Sequence, residues 1–175
     1  LGADPAYPEI ARLIAARAGL QIEGSRADSA EAVIQRAMTA SGVSSMGRFR
    51  DLLSNDAAAL DRLVEDLTIG ETYFFRDPAH FDFVRHEIVP DVRTLRPGQT
   101  FRAWSAGCSS GEEAYSLAIL LHETRGPGHV LATDVSREAL SKARRAHYGA
   151  WSLRGDAAPL ARSYLRRVEK PEATF

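Results

Sequence analysis

The stretch that most restricts the fold is WSAGCSSGEEAYSLAILL, residues 104–121. It reads as a strand, from about 101 to 106, that runs through a glycine turn into a helix from about 111 to 124. Gly126-Pro127-Gly128 then breaks the helix, and His129-Val-Leu-Ala-Thr133 reads as a second strand ending at Asp134. Ser136 opens a further helix with Ala139, Leu140 and Ala143 turned inward. Strand, helix, strand, helix within about 45 residues is the opening half of a parallel α/β sheet.

In such a sheet, ligands bind at the carboxyl ends of the strands. Two places qualify, the turn Gly107–Glu113 and Asp134. The turn has no lysine for phosphates and lacks the dinucleotide spacing of glycines, which weighs against a dehydrogenase. Glu112 and Glu113 stand in the first helical turn, where a pyrophosphate would meet like charge. A ligand carrying hydroxyls, an amine or a cationic centre would meet complementary charge. Asp134 is placed to accept from ribose hydroxyls. S-adenosylmethionine satisfies both places, having a ribose, an α-amino group and a sulfonium, and no phosphate. Each acid also has a purely structural reading, as helix-capping chemistry for the glutamates and ordinary loop usage for Asp134.

Upstream, the apolar period is helical. Ile10, Leu13, Ile14 and Ala18 form one stripe, closed by Gly19. A helix from about Ser29 to Ala40 aligns Val33, Ile34, Ala37 and Met38, and two more follow near 45–54 and 57–67. In the last, Leu60, Leu63, Val64 and Leu67 face inward while Asp61, Arg62, Glu65 and Asp66 face water. Residues 1–68 are therefore expected to form a small helical bundle, and 69–175 an α/β domain. Between them lies TIGETYFFRDP, in which Asp77 followed by Pro78 marks a helix start with an acceptor at the cap. That helix passes Phe81, Val84 and Ile88 toward Pro90. Phe74, Phe75, Trp104 and Tyr115 are expected in the core.

Charge gives no bias toward nucleic acid, with a net −1 over the chain. Residues 137–170 hold nine Lys or Arg against three acids, which reads as a solvated helix face. The longest apolar run, Leu117–Leu121, is far too short to span a membrane. The single cysteine, Cys108, excludes an internal disulfide, fits a reducing, cytoplasmic setting and reads as a small turn residue. The five histidines show no metal-ligand spacing. No secretion leader opens the chain, and a start at Leu1 without Met is expected of a piece of a longer protein.

ETYFFRDP, WSAGCSSGEEAYSLA, and ATDVS followed by ALSKARRAHYGAWSLRG together resemble the CheR family of chemotaxis methyltransferases, over nearly the whole chain up to about Gly155. The resemblance implies an N-terminal helical domain followed by the first half of a Rossmann-like S-adenosylmethionine methyltransferase sheet. It implies methyl transfer to glutamate side chains of chemoreceptor cytoplasmic helices, forming methyl esters. It places Thr72, Arg76, Glu112 and Asp134 at the cofactor. The Arg76 guanidinium is a planar fork suited to the cofactor's methionine carboxylate. A carboxylate acceptor is already nucleophilic at neutral pH, so the reaction needs positioning more than a base, and none is assigned.

This chain departs from the family in three places. Gly70 stands where many members have Asn. The second helix, often arginine-rich where it meets an acidic receptor helix, keeps Arg36 as its one substrate-facing cation. The family's later strands have no counterpart here, and the tail 156–175 sits where a small antiparallel insertion is usual. A sheet cut after two strands would leave an apolar face and an open edge, so self-association is expected, with no methylation by this chain on its own. A non-catalytic docking or cofactor-binding fragment is the alternative reading.

Overall fold

A computed structural model describes residues 4–22, 27–68, 70–156 and 158–168. The chain divides into two compact units, Leu1–Ile69 with Val135–Glu138, and Gly70–Asp134 with Ala139–Phe175.

The first unit contains helices α1 (Tyr7–Ala18), α2 (Ala27–Ala40), α3 (Met46–Asn55) and α4 (Ala57–Leu67). Their apolar stripes meet in one core around Ile10, Ile14, Ile34, Phe49, Leu53 and Leu63, all 2% exposed or less. The ends are set by local chemistry. Gly19, at φ 69°, closes α1 by donating its amide to the Ala15 carbonyl at 2.8 Å. Asp56 ends α3 and caps α4, its Oδ1 accepting from the amides of Ala58 at 2.9 Å and Ala59 at 3.1 Å. Two acids expected to face water are instead half-buried. Asp61 pairs with Arg17 at 2.7 Å, and Glu65 accepts from the amide of Glu138 at 3.1 Å, a residue grouped with this unit.

The second unit opens with α5 (Pro78–Phe83), a π-turn over Val84–Ile88 and α6 (Val89–Leu95). Asp77 precedes α5 as expected but makes no side-chain cap. It lies at φ 57°, ψ 69°, a left-handed conformation different from the extended one that Asp56 uses. The helix continues past Pro90, because the π-turn widens the ladder just where proline lacks an amide hydrogen, and Val89 donates to Val84.

Then follow β1 (Phe101–Ala106), α7 (Glu112–Glu123), β2 (Gly128–Thr133), α8 (Arg137–Arg145), a 3₁₀ turn (Ala150–Leu153) and α9 (Ala158–Tyr164). The two strands are parallel, from Phe101 opposite Gly128 to Ala106 opposite Thr133. The last part of the predicted tail, 169–175, lies outside the described residues.

The odd-numbered β1 residues Phe101 and Ser105 are buried, and Phe101 packs with Leu120, Leu121 and Val89 of the helices. The even-numbered side chains point the other way. Trp104, expected in the core, is therefore 66% exposed beside Leu131 at 52%, its indole N–H donating to Thr133 Oγ1 at 2.9 Å. Tyr115 is also partly outside the core at 37%, and its hydroxyl donates to the Ala143 carbonyl at 3.1 Å. Phe74 and Phe75 are buried as expected, at 1% and 3%.

Candidate functional site

The turn between β1 and α7 is held by backbone bonds that leave little freedom. The amides of Gly107 and Cys108 both donate to the Thr133 carbonyl, at 2.8 and 2.9 Å, pinning the turn to the end of β2. Gly111, at φ 99°, has no room for a side chain. A Cβ there would sit 2.8 Å from Ala143 Cβ and 2.9 Å from the Tyr148 hydroxyl. Ser109 takes a left-handed φ of 47°. Its amide donates to Asp134 Oδ2 at 2.7 Å and its hydroxyl to the Gly70 carbonyl at 3.0 Å. One serine thus joins the end of β2, the turn and the start of the 70–76 loop.

The three acids fall into different settings. Asp134 is half-buried at the carboxyl end of β2, already bonded to the turn through Ser109. Glu112 is 2% exposed, with Oε2 accepting from the Ser110 hydroxyl and Oε1 from the Ser152 hydroxyl, each at 2.7 Å. The resemblance places Glu112 at the cofactor; here both of its oxygens are engaged by serine hydroxyls beneath the turn. Glu113, about 100° further round the helix, is exposed and accepts from the buried Ser105 hydroxyl at 2.7 Å. It is the acid of the pair that faces out.

The 70–76 loop is anchored by its phenylalanines. The Phe74 amide donates to the Ser152 carbonyl at 2.9 Å, and the Phe75 amide to the Ser116 hydroxyl at 2.9 Å. Phe75 sits at φ 53°, strained for a non-glycine residue, and is held by burial with Phe74, Ile119 and Ala161. Two residues ahead of these anchors, the Thr72 hydroxyl makes no hydrogen bond among the described residues. Arg76 is exposed; it bonds the Glu71 carbonyl at 2.7 Å, while the Glu71 carboxylate pairs with Arg154 at 3.0 Å. Arg36 lies exposed on α2, opposite the face buried through Ala30, Ile34 and Met38.

Cys108 is 1% exposed, and burial, with the Asp134 charge behind it, pushes its thiol above the ordinary value. A protonated thiol is a poor nucleophile, in keeping with a packing role in the turn. Burial, followed by the Glu112 charge, likewise raises the Tyr148 phenol, so it stays a donor, to the Ser110 carbonyl at 2.9 Å. Among the described residues no three or more His, Cys, Asp or Glu are grouped to hold a metal ion, and no helix is long and apolar enough to cross a membrane. A cavity of about 620 Å³ between α7, β2 and α8 is lined by Tyr115, His122, Val130 and Leu140 and includes none of Thr72, Arg76 or Asp134.

Sequence reasoning missed Ser105, Ser116 and Ser152. Ser116 carries a readable signal, a hydroxyl one helical turn from Ile119 and Leu120 on the buried face of α7. Ser152 lies 40 residues from Glu112 and carries no such signal. Glu113 at the start of α7, Asp134 after β2 and the exposed Arg76 guanidinium on the 70–76 loop, with no lysine in the turn, are chemically suited to a phosphate-free ligand with amine, hydroxyl and carboxylate groups. S-adenosylmethionine has all three.

Residues 5–68 match the all-alpha domain of the CheR methyltransferases, and residues 70–175 match their SAM binding domain. The chain is 32% identical over 151 residues to the chemotaxis protein methyltransferase of Escherichia coli, covering 83% of this chain and 51% of that protein. It is 34% identical over 151 residues to that of Salmonella typhimurium, covering 83% and 50%. With the chemotaxis protein methyltransferase of Borreliella burgdorferi it shares 39% identity over 98 residues, 51% of this chain and 35% of that one. The chain spans about half the length of the two enterobacterial relatives. With both domains matched in order along the chain, the protein belongs to the CheR methyltransferase family, and the cofactor of its second domain is S-adenosylmethionine.

Proposed function

We propose that this chain is the helical and cofactor-binding part of a protein-glutamate O-methyltransferase acting in chemosensory adaptation in the cytoplasm. The observation that carries the reading is the pair of acids, Glu113 and Asp134, at successive strand ends of a turn without phosphate-binding groups. Bound there, the cofactor would supply an activated methyl on a cationic sulfur; an acceptor carboxylate attacking that carbon in line would form the ester as the carbon–sulfur bond breaks, releasing neutral S-adenosylhomocysteine with no proton to remove. Arg76 pairs with the methionine carboxylate, Asp134 accepts from the ribose, and Glu113 accepts from the amine, taking the part that the resemblance gives to Glu112. Thr72 adds a hydroxyl from the loop. These residues orient; none acts as a base. The protein substrate is a chemoreceptor cytoplasmic helix, met in part by Arg36 on α2.

Asp134→Ala is expected to weaken cofactor binding by roughly 1–3 kcal/mol, the scale for losing hydrogen bonds to a charged group. Calorimetry with S-adenosylhomocysteine measures it, and NAD binding more tightly than either S-adenosyl compound would end the reading. A second reading, a fragment that binds cofactor or partner without turnover, is favoured by the exposed Trp104 and Leu131 on one face of a two-stranded sheet. It expects self-association and no methylation by these 175 residues. Light scattering beside a labelled-methyl assay tests both, and a monodisperse monomer with normal turnover would exclude it.

A further inference from the structure

The loop carrying Thr72 and Arg76 and the turn leading to Glu113 are far apart in sequence, yet both are fastened to the 3₁₀ turn Ala150–Leu153. Ser152 does this with one residue. Its carbonyl accepts from the Phe74 amide at 2.9 Å, and its hydroxyl donates to Glu112 Oε1 at 2.7 Å. Tyr148 and Arg154 flank it. The Tyr148 hydroxyl donates to the Ser110 carbonyl at 2.9 Å. The Arg154 guanidinium stacks 4.1 Å from the ring centres of both Tyr73 and Trp151, and pairs with Glu71. Residues 71, 73 and 74 are thereby fixed on either side of Thr72.

We propose that Ser152 is a positioning residue for the cofactor, a latch that sets the spacing between the Arg76 loop and the acid-bearing turn. The inference rests on the reading of that turn as the S-adenosylmethionine site. Two features give the latch its grip. Glu112 is almost wholly buried, and each of its oxygens takes one hydroxyl donor, so removing the Ser152 hydroxyl leaves Oε1 short of a partner in a place water does not reach. The Ser116 hydroxyl makes a parallel tie, accepting from the Phe75 amide while donating to the Glu112 carbonyl at 2.7 Å. Loop and turn therefore meet through Glu112, once at its side chain and once at its backbone. Loss of the side-chain tie frees the turn to shift relative to Arg76, and a ligand that must touch both sides then binds a spread of spacings instead of one.

The test is calorimetry with S-adenosylhomocysteine on wild type, Ser152→Ala and Ser152→Thr, at a temperature where thermal scans show each folded. Ser152→Ala is expected to bind about tenfold more weakly, the loss that follows from one hydrogen bond of about 1.4 kcal/mol. Ser152→Thr, which keeps the hydroxyl, is expected to restore binding; a role in stability alone would move the melting temperature and leave the affinity of folded protein unchanged. If Ser152→Ala does not fold, Arg154→Lys keeps the charge, loses the stacked plane and carries the same expectation of weaker binding. Wild-type binding with unaltered affinity in the folded variant overturns the latch and leaves the site assignment standing, as does failure of threonine to rescue. Absence of binding by wild type overturns both.

Discussion

The two units solve the problem of an interior differently. The helical unit has an apolar core: Ile10, Ile14, Ile34, Phe49 and Leu63 are at most 1% exposed, while its acids Asp61 and Glu65 are only half-buried. The α/β unit threads polar groups through its interior. Ser105, Glu112 and Ser116 are at most 2% exposed, while Trp104, Leu131 and Trp151 lie outside at 52% or more. A core of side-chain methyls gains stability by area and tolerates small shifts. A core of serines and a glutamate fixes geometry, because each buried polar group must keep its partner. The first arrangement suits a rigid body, the second a site.

The largest expected effect tests that contrast at its apolar end. Phe49, 1% exposed, anchors α3 in the bundle. Phe49→Ala should cost about 3–5 kcal/mol. Hydrogen exchange read by peptide should lose protection over α1–α4 and keep it over β1, α7 and β2. Equal loss across both would mean that the units do not unfold separately.

A second expectation concerns pH, and its sign differs between the units. In the bundle, Asp61 is held below the usual carboxylate range by its hydrogen bond to Arg17. Its folded value is depressed, so its contribution is present above the unfolded value and lost as pH falls through the folded one. In the α/β unit, Cys108 and Tyr148 are raised, both chiefly by burial. Their contributions are complete below the unfolded values, about 8.5 for a thiol and 10 for a phenol, and are lost as pH rises through the folded ones. Protection should therefore fail first in the helices toward acid and first around the turn toward alkali. The opposite order would contradict both assignments.

The contrast also explains which features could be read from the sequence. The bundle was legible because helical stripes such as Leu60, Leu63 and Val64 report burial directly. So was the strand, turn and helix of 101–123, where Gly107 and Gly111 mark left-handed positions. Which of Glu112 and Glu113 turns inward was not legible. Adjacent residues on a helix point about 100° apart, and which direction is inward depends on Ser152, brought in from beyond α8. Trp104 was misjudged because alternation assigns a side chain to a face and says nothing of whether that face is covered. The π-turn ahead of Pro90 was not legible either, since nothing in the run through Phe81, Val84 and Ile88 announces the widened ladder that accommodates the proline.

The smallest effect compares two aspartates that carry the same sequence signal. Asp56 and Asp77 each stand immediately before a helix, and each reads as an N-cap. Asp56 is extended, at φ −125° and ψ 97°, and its carboxylate reaches two amides of the first turn. Asp77 is left-handed and reaches none, and Pro78 after it has no amide to offer. Asp56→Ala should therefore cost about 1 kcal/mol of bundle stability. Asp77→Ala removes no cap; it exchanges a residue that tolerates the left-handed region for one that tolerates it less, a change of under about 1 kcal/mol. Asp77→Gly relieves the same conformation and should be neutral or slightly stabilising, whereas Asp56→Gly should still lose the two bonds. Urea unfolding of the four variants separates the cases. If alanine at position 77 costs as much as alanine at 56, and glycine at 77 does not restore it, the Asp77 carboxylate holds the loop by a bond other than a cap.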